Sequence, residues 1–203
     1  MAQSKVFFTD FRTKMYGDGL PIKFKNLIKK AGILDIDMDG KFVAIKTHFG
    51  ELGNLSFLRP NYARALVEVI KEAGGKPFLT DCNTLYPGFR KNALEHMECA
   101  WLNGFTPYTV GCPVIIADGL KGTDDIDIPV KGGEYIKEAH IGRAVMDADI
   151  IISHYPAEMI QDHETLNPEY FIHGHIHGCG GEQKLIYSTL HCNCSKYDEL
   201  KIL

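Results

Sequence analysis

With 203 residues, 45% of them hydrophobic and 24% charged, the chain has the composition of an ordinary globule large enough for one sizeable core. Its formal net charge of −4 speaks against a general affinity for nucleic acid, which needs a basic face. No apolar run approaches a membrane span and the first residues hold no signal-peptide core, so the expectation is a cytoplasmic protein with no membrane partner.

In chain order, Lys5-Val6-Phe7-Phe8 predicts a first strand. A helix follows from Ile22 to Ala31, with Phe24, Leu27 and Ile28 on one face and Gly32 as its stop. The apolar, partly β-branched run Phe42 to Lys46 predicts a buried strand, which gives way to a loop through Gly50, Glu51, Gly53 and Asn54. Arg59-Pro60 opens a helix from Asn61 to Ala73, striped by Ala65, Leu66, Val69 and Ile70 and ended by Gly74-Gly75. Pro77 to Thr80 is then a short strand ending at Asp81, and this strand–helix–strand order implies a right-handed parallel crossover. Further on come a helix from Lys91 to Asn103 and a strand from Pro113 to Ala117 that ends in Asp118-Gly119. The alternation from Asp125 to Ala139 suggests a hairpin that flaps over the cleft. His140 to Met146 reads as a short helix and Asp149 to His154 as another strand. The fold expected is a three-layer α/β sandwich on a mainly parallel sheet, with a β-hairpin insertion and an irregular C-terminal extension. Residues 1–155 would form the main domain, and 156–203 a His/Cys-rich extension packed on it.

In an open α/β sheet, ligands bind outside the carboxyl ends of the strands. Lys46, His48, Asp81, Asn83 and Arg90, joined by His154, fall at such ends and form the expected cleft lining. Lys46 and Arg90 would neutralise a small anionic ligand such as a carboxylate or phosphate, and His48 or His154 would act as ligand or general base. The plainer alternatives are a solvated loop at 47–54, Asp81 and Asn83 as caps of the next helix, and His96 as an interior histidine. Cys82, Cys99 and Cys112 read as small apolar thiols of a reducing compartment.

The motif Lys-x-His-Phe-Gly-Glu-x-Gly-Asn at 46–54, then Arg59-Pro60, Thr80-Asp81-Cys82-Asn83-Thr84-Leu85-Tyr86 and Ala93-Leu94-Glu95-His96, resembles the domain-of-unknown-function 362 family over roughly residues 4–154. Many members of that family carry a ferredoxin-like segment and are described as iron–sulfur proteins. The resemblance therefore implies a metal-associated ligand-binding domain, with a redox protein as a partner. It supplies no reaction. No Cys-x-x-Cys occurs here, so a complete ferredoxin cluster motif is absent from this sequence.

After Ser153-His154 the chain departs from that family's pattern. Tyr155-Pro156 and the run His173-Gly174-His175-Ile176-His177-Gly178-Cys179 are similar to the end of calcineurin-like metallophosphoesterases. The carboxylate motifs that hold and bridge two ions in those enzymes are missing, so a complete phosphoesterase is not expected. The alternating imidazoles nevertheless suit a divalent metal, zinc in the first place and iron in the second. His154, His175, His177 and Cys179 are the expected ligands. A metal-dependent hydrolase built on those histidines is the competing functional reading, and an exposed histidine tract the plain one.

Overall fold

The computed structural model describes residues 7–129 and 137–153, together with the backbone of Tyr170–His173, Gln183–Ile186 and Thr189–Asn193. Phe7 and Phe8 are not in a strand, so the expected first strand is corrected at its two described residues. Among the described residues, regular structure begins with helix α1, Leu20–Lys30, which has Pro21 in its first turn and is followed by Gly32 in the left-handed region at φ 98°. A 3-10 turn at Ile33–Asp35 leads to strand β1, Phe42–Lys46.

Helix α2, Pro60–Glu72, then crosses to strand β2, Lys76–Asp81. It buries a wider face than the stripe expected: Ala63, Val67 and Ile70 join the main core, and Val67 is fully covered. Helix α3, Ala93–Leu102, is capped by Asn92, whose side chain accepts from the amides of Leu94 and Glu95. The cap is therefore not Asp81 or Asn83. A four-residue helix α4, Pro107–Val110, follows, and then strand β3, Val114–Ile116.

The hairpin comprises β4, Asp125–Pro129, and β5, Glu138–Gly142, and the short helix α5, Arg143–Met146, leads to β6, Ile150–Ile152. His140 thus lies in a strand of the hairpin rather than at the start of a helix. The section expected to be irregular is regular in three places: β7 (Tyr170–His173), β8 (Gln183–Ile186) and β9 (Thr189–Asn193).

The main sheet has the order β3-β2-β1-β6-β7-β9-β8 and is parallel except for the β8–β9 pair, with β4-β5 as a separate antiparallel sheet. Alternation along each strand splits its side chains between two cores. Val43, Ile45, Leu79 and Ile150 face the helical layer with Val67, Ile70, Ala100 and Val110. Ala44, Phe78 and Ile151 face the other way, onto Ile128, Ile141 and Val145. The three layers are therefore helices, sheet, and hairpin with a short helix.

The hairpin is not a flap in its described part. Ile128 is fully buried in the second core, and Arg143 clips the hairpin base through Asp124 at 2.9 Å. No helix among the described residues is long and apolar enough to cross a membrane.

Candidate functional site

β1 and β2 run in parallel with Lys46 beside Thr80, so both strands deliver their last residues to the same edge. Asp81, buried at that edge, is the hub. Its Oδ2 accepts from Arg90 Nη1 at 3.2 Å, its Oδ1 accepts from the Cys82 amide at 3.0 Å, and Lys46 Nζ stands 3.6 Å from Oδ1. His96 Nε2 lies 3.6 Å from Oδ2, beyond hydrogen-bond length, and both ring nitrogens of this fully buried histidine find no hydrogen-bond partner among the described residues.

Arg90 is itself buried and ties the two loops together. Its Nε donates to Glu51 Oε1 at 2.7 Å, and its Nη2 donates to the Tyr86 hydroxyl, which in turn donates to Glu51 Oε1 at 3.1 Å. One guanidinium thus joins the loop after β1 to the loop after β2, in the fork geometry that only arginine offers. Its side chain is 3% exposed, against 42% for Lys46. Among the cations of this cluster, Lys46 is the one that reaches solvent, and Arg90 supports the edge from beneath.

Asn83 has a supporting part too. Its amide and its side-chain nitrogen both donate to Asp118, and the side chain also reaches the Gly119 carbonyl at 2.9 Å, which fastens the β2 loop to the β3 loop. Lys46, His48, Asp81 and Arg90 are brought together, while Asn83 points its donors into the neighbouring loop. His154, His175, His177 and Cys179 lie outside the described residues. Glu51, Tyr86 and Asp118 are expected from the sequence at these strand ends but not in the cleft lining, and the structure gives each a bond within the cluster or beside it. The signal for Glu51 was its place in the polar run after β1, where a carboxylate beside a buried arginine is a needed counter-charge.

His48 is exposed, and the Gly50 amide donates to its Nδ1 at 2.8 Å. Burial, then the positive charges of Arg90 and Lys46, push this imidazole below its ordinary 6.5, against the pull of Asp81 and Glu51. Neutral His48 therefore carries its proton on Nε2 and offers solvent a donor. That arrangement suits an acceptor-bearing ligand. It does not suit a general base, which needs a free lone pair, nor a metal, whose histidine ligands normally donate from the second nitrogen.

Burial pushes the Asp81 carboxyl up, but the His96 imidazole, the Lys46 ammonium and the Cys82 amide together hold it below its ordinary 3.8. For both depressed groups the unfolded chain binds the proton more tightly. The stability from His48 is complete above pH 6.5 and is lost as pH falls through its lower folded value. That from Asp81 is complete above 3.8 and is lost below it. Denaturant titrations should show a first decline below pH 6.5 that His48→Gln flattens, and a steeper acid decline that the same variant leaves in place. An unchanged first decline in the variant would assign it elsewhere.

Burial disfavours the thiolate form of each described cysteine. Burial, with the nearby Asp118 and Asp81 charges, pushes Cys82 up to about 11, and burial pushes Cys112 to about 11 as well. A hollow of about 430 Å³ between Leu34, Asp37, Met38 and Glu72 lies beside the amino ends of β1 and β2, away from these groups.

A family profile described as a domain of unknown function (DUF362) matches residues 43–156, more than half of the chain. The chain belongs to this family. The DUF362 match begins on β1 and takes in β2, β3, the hairpin and β6, so the whole Lys46–Asp81–Arg90 cluster lies inside it. Comparison with curated proteins and with solved structures returns no match.

Proposed function

We propose that this is a metal-associated ligand-binding domain in which the carboxyl edge of β1 and β2 binds a small anionic ligand, a carboxylate or a phosphate, with Lys46 and His48 as the contacting groups. The observation that carries the reading is Lys46: an exposed ammonium held 3.6 Å from Asp81, too far for a hydrogen bond and free to swing onto a ligand. His48 Nε2 adds a neutral donor nearby. The topology supports the carboxyl end of β1, where Lys46 stands. From β1 the chain builds outward through β2 to β3 on one side, then returns to β6 on the other, and such a reversal opens a crevice between the carboxyl ends of β1 and β6, on the flank of Lys46 away from β2. Asp81, Arg90 and Glu51 supply the rigid base on which those donors stand.

The test is an amide-resolved NMR titration with inorganic phosphate and with short carboxylates. The amides from Lys46 to Gly50 should move first, and Lys46→Met should weaken the ligand by about 1.5–3 kcal/mol, the range for a hydrogen bond to a charged group. A panel that leaves these amides unmoved, or an affinity indifferent to Lys46→Met, argues against the site.

A further inference from the structure

We propose that Asp125, Asp127 and His140, on the solvent side of the hairpin, bind one divalent ion of the zinc class. This proposal does not depend on the anion-binding reading. In the antiparallel register Asp127 stands opposite His140, and Asp125, two residues earlier on the same strand, shares its face. His140 Nδ1 lies 2.5 Å from Asp127 Oδ1 and 3.6 Å from Asp125 Oδ2. One donor atom from each of the three residues falls within 4.8 Å of the others.

Ligand bonds of about 2.0–2.2 Å in a tetrahedral set put neighbouring donors about 3.3–3.6 Å apart. The Asp125–His140 spacing already matches, and Asp127 needs only a side-chain rotation to open the third. The chemistry selects the ion. An imidazole with two carboxylates suits zinc and its first-row neighbours, whereas calcium and magnesium take oxygen donors.

Two carboxylates side by side repel, and a cation held between them would relieve that repulsion. The strands that carry the donors are fixed before any ion arrives. The opposite face of the hairpin places Ile128 and Ile141 in the second core, and Arg143 closes its base through Asp124. Sites carried on strands fixed this way need little rearrangement. The coordination positions left by three protein ligands would face solvent, since the side chains of Asp127 and His140 are more than half exposed.

Tag-free, chelator-stripped protein would be titrated with Zn²⁺ by calorimetry and with Co²⁺ by amide-resolved NMR near neutral pH. The double substitution Asp127→Asn with His140→Gln, at exposed positions, should remove one equivalent of bound Zn²⁺. In the wild-type chain, Co²⁺ should broaden the amides of Asp125–Ile128 and Ala139–Ile141, a readout that needs no variant and separates the hairpin from the histidines beyond residue 153. Equal Zn²⁺ stoichiometry and affinity in the double variant, or Co²⁺ broadening confined to other parts of the chain, would overturn the proposal and leave a plain histidine–carboxylate contact.

Discussion

Replacing Arg90 by Ala should destabilise the fold by about 3–5 kcal/mol, the cost of removing one partner from a buried ion pair and stranding the other. Asp81 is the stranded partner. It would keep Lys46 and His96, each at 3.6 Å, and the Cys82 amide, while Glu51 and Tyr86 lose the group that joins their loops. Arg90→Lys should recover only part of the loss, because an ammonium cannot reach three acceptors in a planar fork. The measurement is equilibrium unfolding of Arg90→Ala, Asp81→Asn and the double variant. A double variant much less damaged than the sum of the singles is expected for two residues in one network. Full additivity would mean that the pair does not act as a unit. Any effect of Arg90→Ala on an anionic ligand is then indirect, through the collapse of the base beneath Lys46.

Phe49→Ala is expected to be comparably costly, about 3–5 kcal/mol, the range for truncating a buried aromatic ring. Phe49 is fully buried between the exposed His48 and the turn at Gly50. Its ring packs edge-on against His96 at 5.8 Å and tilted against Phe105 at 5.3 Å, and Asn103 donates to its carbonyl at 2.9 Å. Gly50 turns the chain at φ +84°, and a Cβ there would stand 2.6 Å from Asn103 Nδ2 and 2.7 Å from Phe57. The loop that carries His48 is thus pinned into the helical core by one ring and one left-handed glycine. Thermal and denaturant unfolding of Phe49→Ala and Phe49→Leu should show a large loss in the first and a smaller one in the second. A loss below about 1 kcal/mol in Phe49→Ala would mean that the loop is held by other contacts.

The sequence by itself determined the parallel α/β frame. β1 was legible because a buried parallel strand is a short apolar run, and α2 because proline opens it and Gly74 closes it. It also determined which polar residues leave those strands, since position in a strand follows from local pattern alone. Family membership rested on the same polar runs and is matched over residues 43–156. What local pattern does not contain is which charge meets which. Lys46 and Arg90 look alike as cations beside strand ends, yet one is exposed and the other sealed under Tyr86 and Glu51. Asn83 looks like a cleft donor and instead clasps Asp118, a residue 35 positions later. The hairpin was legible by alternation, but its packing on the second face was not, because Ile128 and Ile141 find Ala44, Phe78 and Ile151 only once the sheet has assembled. Burial and pairing are properties of the assembled layers: a low-dielectric site forms only when distant segments exclude water together, and that exclusion makes Arg90 a strut while leaving Lys46 at the surface.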